Sequence, residues 1–185
     1  MAGHPHVCPF WLIRTFDNAL RRLVHRPEVV LDGLARPGDH GADLGCGIGY
    51  FTIPMAEMAG PTGSVTAVDV QARMLEGVRR RARRRGVESR VRCHLSDGRG
   101  FEVAQPVDFA LAFWMLHEVP DQDALLRDVC SALRPGGRFL VAEPRGHVSA
   151  AAFTRSVRRA VGAGFRVEDE PRVRFSRAVL LAKPA

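Results

Sequence analysis

From Asp39 onward, short apolar runs of strand length alternate with longer segments whose apolar residues recur at helical spacing. The runs predict strands near 39–44, 64–69, 90–95, 107–113, 137–143, 165–170 and 175–182. The longer segments predict helices near 50–59, 71–85, 121–133 and 149–162. This alternation marks an α/β fold with helices on both faces of a mostly parallel sheet. Phe109 to Leu116 is apolar without alternation, as expected of a strand covered on both faces, and belongs in the middle of the sheet. The last two strands are joined by a short connection through Pro171 and so form an antiparallel hairpin, giving the parallel sheet an antiparallel edge. Gly60-Pro61, Gly86 and Pro135-Gly136-Gly137 punctuate the elements, and Asp121 is placed to cap the third helix.

Ahead of the sheet, Trp11, Leu12, Phe16, Leu20, Leu23 and Val24 form a partly helical apolar pattern that must cover something. The chain therefore divides into a helical segment, residues 1–35, covering the carboxyl edge of the sheet, and an α/β domain, residues 36–185. Whether the segment only packs or also acts as a lid is left open by the pattern.

Composition narrows the class. With 185 residues, 46% apolar and 25% charged, the chain suits a globular domain of ordinary size. Its longest apolar run is far shorter than the roughly 18 residues that span a bilayer, and its N-terminus lacks a signal-peptide pattern, so a cytoplasmic location is expected. Cys8, Cys46, Cys93 and Cys130 lie far apart with no C-x-x-C pair, which predicts reduced thiols. The net charge of +7 comes from 27 basic residues, of which only Lys183 is lysine; such a balance does not by itself select a nucleic-acid partner.

Asp43-Leu44-Gly45-Cys46-Gly47-Ile48-Gly49 falls where the first strand hands over to its helix. Glycines there let backbone approach a ligand closely, and the helix start offers free N–H groups. A dinucleotide fingerprint starting at Gly45 would need a small residue at position 50, where Tyr50 stands, so NAD is disfavoured. The second strand ends in Asp69, an acid suited to ribose hydroxyls. Together, Asp43-x-Gly45-x-Gly47-x-Gly49, Asp69, Ser96-Asp97 and Leu133-Arg-Pro-Gly-Gly137 resemble, in order, the landmarks of the class I S-adenosylmethionine-dependent methyltransferases, over about residues 36–183.

That resemblance implies a Rossmann-like seven-stranded sheet with an antiparallel last strand, S-adenosylmethionine as cofactor and S-adenosylhomocysteine as product. It also implies roles. Gly45 and Gly47 would lie under the methionyl part and Asp43 would organise its amino group. Asp69 would bind the ribose, Val70 and Met74 would flank the adenine, and Asp97 would meet its exocyclic amine with the Gly98 N–H nearby. Phe113 would offer its backbone carbonyl to the methionyl ammonium. His40 and Gly41 depart from the bulky apolar residues usual in the first strand, which puts the start and packing of that strand in question.

Methyl transfer from a sulfonium is an in-line displacement in which alignment matters most and a base helps when the nucleophile carries a proton. His117, Glu118 and His147 follow the fourth and fifth strands and are the candidate catalytic residues, accompanied by Glu143 and Arg145. His4, His6 and Cys8 are metal-competent side chains on a terminus without companion ligands, so no metal site is expected. Trp11, Phe16, Trp114 and Met115 supply apolar lining for a small, partly hydrophobic acceptor. Arg79, Arg80, Arg81, Arg83, Arg84 and Arg85 crowd the end of the second helix as a solvated face, without neighbouring aromatic residues that would stack nucleotides. Phe113-Trp114-Met115-Leu116 replaces the Asn/Asp-Pro-Pro-Tyr/Phe motif of methyltransferases that act on nucleobase amines. Methylation of RNA or protein, or binding of the cofactor as a non-catalytic sensor or accessory domain, are the alternative readings. Oligomeric state is not legible in the chain.

Overall fold

A computed structural model of the chain describes residues 24–98, 101 and 106–185. After a short helix α1 (Pro27–Val30), the elements run β1 (His40–Leu44), α2 (Thr52–Ala59), β2 (Ser64–Asp69), α3 (Ala72–Arg85), β3 (Val91–Leu95) and β4 (Val107–Phe113). They continue with α4 (Gln122–Ala132), β5 (Leu133–Pro144), α5 (Ala150–Gly162), β6 (Arg166–Asp169) and β7 (Ser176–Ala182). The helices end where the chain chemistry says they should. Asp121 and Ser149 accept hydrogen bonds from Ala124 N and Ala152 N at the starts of α4 and α5, and Gly86 closes α3 in the left-handed conformation.

The strands form one seven-stranded sheet in the order β3-β2-β1-β4-β5-β7-β6. Pairings among β1 to β5 are parallel, whereas β7 runs antiparallel to both β5 and β6. The reversed strand is thus not the edge expected from the hairpin. It is inserted between β5 and β6, and β6 with its four exposed residues is the edge. Strand β4 occupies the centre, as its unbroken apolar sequence requires, and Phe109 to Phe113 are all buried.

Alternate residues of the central strands face two cores. Phe109, Leu111 and Phe113 pack with Leu31, Leu34, Phe51, Ile53 and Met55 on one face. Ala110 and Ala112 pack with Leu125, Leu126 and Val129 of α4 and Ala160 of α5 on the other. The small residues of β4 thereby face α4 and the large ones face α2.

The starts of β5 and β1 have identifiable physical causes. Strand β5 starts at Leu133, not near 137, because Arg134 to Gly137 loop out as a bulge: Val107 pairs with Leu133 but Phe109 pairs with Arg138. The bulge is fixed by Gly136 N donating to Lys183 O and Lys183 N donating to Gly137 O. Strand β1 starts at His40, whose N–H donates to Asp108 Oδ2 at 2.8 Å and whose Nδ1 is hydrogen-bonded to Ser64 Oγ at 2.9 Å. Gly41 is small because its paired neighbour Phe109 is large: a Cβ on Gly41 would lie 2.3 Å from Phe109 Cζ. The residues that looked out of place in β1 are its fit to β4.

Gly41→Val should therefore force the fully buried Phe109 ring aside and lower the unfolding free energy by about 1–3 kcal/mol. Urea denaturation with an unchanged slope would measure it; an unchanged midpoint would show that Phe109 can move at no cost.

Candidate active site

The carboxyl ends of β1, β2, β4 and β5 meet along one edge, where ligand sites of open α/β sheets form. At β1 the chain turns through Gly45, Gly47 and Gly49, with φ of 63°, 53° and 86°, a left-handed run that side chains rarely adopt. Space as well as conformation excludes a side chain at Gly45, since a Cβ there would lie 2.7 Å from Met115 Cβ. On its inner side the loop seats Ile48 against α3, where Gly77 leaves room.

Two carboxylates brace this loop. Asp43, buried at the end of β1, accepts a 2.5 Å hydrogen bond from Thr52 Oγ1, the first residue of α2. Asp69, at the end of β2, accepts from Gly47 N at 3.0 Å and from Gln71 N at 2.9 Å. Burial raises the Asp69 pKa above the usual carboxylate value, while hydrogen bonds from the N–H groups of Gln71, Gly47 and Val70 pull it back. Asp43 and Asp69 thus shape the glycine loop and its flanks.

The remaining residues suggested by the resemblance are placed unevenly. Gly45 is exposed, as a backbone approach requires. Val70 is 37% exposed, but Met74 is fully buried and presents no free surface. Leu95, which the sequence reading passed over, is 55% exposed beside Asp69 in the β2–β3 register and offers the apolar surface that Met74 does not. Its signal was its position as the last residue of the strand after β2, where it pairs directly with Asp69. Asp97 is exposed, and the Gly98 N–H is engaged with Ser96 Oγ at 3.0 Å. Phe113 is buried, its ring packed against Phe51 and His25.

After Phe113 the chain turns sharply. Trp114 has φ of 60°, an uncommon value for a bulky residue. It is held there by its N–H to Ala142 O, its indole Nε1–H to Ser176 Oγ and the edge of the His25 ring. His25 is itself buried, donating Nε2–H to Arg174 O at 2.7 Å. The turn swings Met115 onto Gly45 and sends a 3-10 turn, Leu116–Glu118, over β5.

Glu143, near the end of β5 and 2% exposed, receives that turn. Its Oε1 accepts from Leu116 N at 3.0 Å, and its Oε2 accepts from His117 N at 3.3 Å and from His117 Nδ1 at 2.6 Å. The Glu143 hydrogen bond, opposed by burial and aided by the charges of Glu143 and Glu118, holds the His117 pKa above its ordinary 6.5. The exposed His147 stands beside it, the two rings 6.2 Å apart.

His4, His6, Cys8, Trp11 and Phe16 lie outside the described residues. Cys46 and Cys93 share a small apolar cluster with Leu75 and Val78, and burial raises both thiol pKa values. Cys130 packs in a different core. Among the described residues no group of three or more His, Cys, Asp or Glu is arranged to hold a metal ion, and no helix is long and apolar enough to cross a membrane. On α3, Arg83 pairs with Glu88 and Arg85 with Glu57, as on a solvated helix face.

A raised histidine pKa stabilises the fold in a defined window. The His117–Glu143 contribution is fully present below pH 6.5, the ordinary value, and is lost as pH rises through the higher folded-state pKa. The stability gap between the protein and His117→Ala should therefore shrink as pH is raised above 6.5, read by urea denaturation at a series of pH values; a gap that widens would refute the pairing.

Comparison with known proteins gives the same picture. A methyltransferase-domain family matches residues 36–164. The ubiquinone/menaquinone biosynthesis C-methyltransferase UbiE of Vibrio parahaemolyticus is 34% identical over 131 residues, 69% of this chain and 49% of that protein. The demethylmenaquinone methyltransferase of Symbiobacterium thermophilum is 33% identical over 122 residues, 64% of this chain and 47% of that protein. The chain thus spans about half the length of these relatives. A SAM-dependent methyltransferase from Aquifex aeolicus has the same fold, with a TM-score of 0.84 at 20% identity over 95% of this chain and 99% of that one. With its glycine loop, its strand-end acids and its sheet order in place, the chain belongs to the methyltransferase-domain family, among the class I S-adenosylmethionine-dependent methyltransferases.

Proposed function

We propose that this chain transfers the methyl group of S-adenosylmethionine to a small, partly hydrophobic acceptor and releases S-adenosylhomocysteine. The observation that carries this reading is the seating of Met115 on Gly45, which puts the turn bearing His117 directly beside the glycine loop. A cofactor on that loop and an acceptor beside the turn would be neighbours.

The residues fit the cofactor. Gly45 leaves its backbone open, and Asp69 has lone pairs left beyond its backbone hydrogen bonds for a ribose diol. Val70 and Leu95 provide exposed apolar surface for the adenine, with Asp97 following on the next loop. When bound, the cofactor supplies an activated methyl on a sulfonium. The chain itself orients the two reactants and keeps water from between them. Trp114 and Met115 are the described apolar residues on the acceptor side, and the relatives named for quinone methylation agree with an acceptor of aromatic, hydrophobic character.

The test is transfer of methyl label from S-adenosylmethionine into a deproteinised small-molecule extract and, separately, into total RNA and protein. Label in the small-molecule fraction is expected; label confined to RNA or protein would overturn the acceptor class. Label nowhere, with S-adenosylhomocysteine still bound, would favour a sensor or accessory role.

Asp69→Ala should keep the fold and lose about 1.5–3 kcal/mol of S-adenosylhomocysteine affinity through loss of charge-assisted hydrogen bonds. Calorimetric titration measures this, and unchanged affinity refutes the ribose assignment.

A further inference from the structure

The Glu143–His117 pair is more than a loop clamp. Holding the turn needs only the backbone N–H groups of Leu116 and His117, at 3.0 and 3.3 Å, yet the shortest of the three hydrogen bonds, 2.6 Å, goes to the imidazole Nδ1. A carboxylate is costly to bury, and Glu143 offsets that cost by facing donors with both oxygens. Because an ionised carboxylate only accepts, it fixes the proton of a neutral His117 on Nδ1 and leaves Nε2 with a lone pair. Nε2 has no hydrogen-bond partner among the described residues, and 28% of the side chain is open to solvent.

We propose that Glu143 is a positioning residue that holds His117 with Nδ1 protonated, so that Nε2 is the base that accepts the proton of the methyl acceptor. This rests on the methyl-transfer reading above and deepens it: the acceptor is a protic nucleophile, carrying O–H, N–H or S–H at the reacting atom, and so differs at that atom from the carbon acceptor that the name of the C-methyltransferase relative prints. In the step, the nucleophile's lone pair forms the bond to the methyl carbon as the carbon–sulfur bond breaks, its electron pair staying on sulfur. The acceptor's proton moves to His117 Nε2, and the imidazolium then returns it to water. Among the described residues, the charged and titratable groups around the ring are Glu143 from β5, Glu118 from its own turn and His147 from the turn after β5. The first two favour the imidazolium that forms.

Two measurements on the full chain test this. The first needs no acceptor: nitrogen NMR of histidine-labelled protein, with His117→Ala assigning the signal. Above its titration, His117 should carry its proton on Nδ1. In Glu143→Gln, with the amide N–H turned to the ring, the proton should move to Nε2 and the pKa should fall. A wild-type ring protonated on Nε2 overturns the proposal without any variant.

The second is the rate of label transfer from S-adenosylmethionine into the deproteinised small-molecule extract. Glu143→Gln and His117→Ala should each lose about a hundredfold or more in rate, with S-adenosylhomocysteine affinity unchanged. Glu143→Asp, which keeps the carboxylate and covers the case that the amide variant does not fold, should restore part of the rate. A Glu143→Gln rate equal to wild type overturns the positioning role, and a collapse of S-adenosylhomocysteine affinity reassigns Glu143 to the cofactor loop. Absence of wild-type label in every fraction refutes methyl transfer itself, and with it the base role, while the tautomer still decides the pairing.

Discussion

Burying a carboxylate is costly unless hydrogen-bond donors meet it, and this chain does so at the ends of three strands along one edge. Asp43 on β1, Asp69 on β2 and Glu143 on β5 are all buried. Each turns its oxygens toward a loop: Thr52 at the start of α2, Gly47 and Gln71 in the loops after β1 and β2, Leu116 and His117 after β4. The loops at the carboxyl edge are therefore held by hydrogen bonds that they donate to the strand-end carboxylates, and such charge-assisted bonds are stronger than neutral ones. Irregular backbone can keep one geometry there without becoming part of the sheet.

The sheet makes this arrangement possible through its order. With β1 and β4 adjacent at the centre, the turns that follow them lie side by side, and Met115 reaches Gly45. The same adjacency accounts for the exchange of bulk between Gly41 and Phe109 one layer below. A glycine is thus demanded twice along β1 and its turn by a large neighbour on β4 or after it. One of those demands concerns packing, the other the floor of the site.

What could be read from the chain was whatever is local. Strand and helix periods, the caps at Asp121 and Gly86 and the glycine loop all depend on residues within a few positions of one another. The α/β class and the family landmarks followed from these. The Glu143–His117 bond spans 26 positions, and neither residue type announces the other, so the sequence could only place both near the same edge. Met74, expected to face the site, is buried and Leu95 is exposed because burial depends on the layers above each strand end, which periodicity does not report. The placement of β7 inside the sheet was likewise a tertiary matter: a hairpin signal says that two strands pair, not which of them meets β5.

Trp114 joins the two halves of the site. A left-handed residue costs roughly 1–2 kcal/mol for an L-amino acid, and strain of this kind persists only where the surroundings over-determine it. Here they do. The indole is bonded to Ser176, its backbone to Ala142, and its ring meets His25, itself tied to Arg174 in the β6–β7 connection. The strained turn converts the direction of β4 into the path of the 115–118 segment, so β7, inserted beside β5, supplies the serine that keeps the site's central turn in place. The reversed strand is in this way linked to the chemistry: without its Ser176 the Trp114 indole N–H would lose its hydrogen bond, and the backbone path that carries Met115 to Gly45 and His117 to Glu143 would lose part of its outer support.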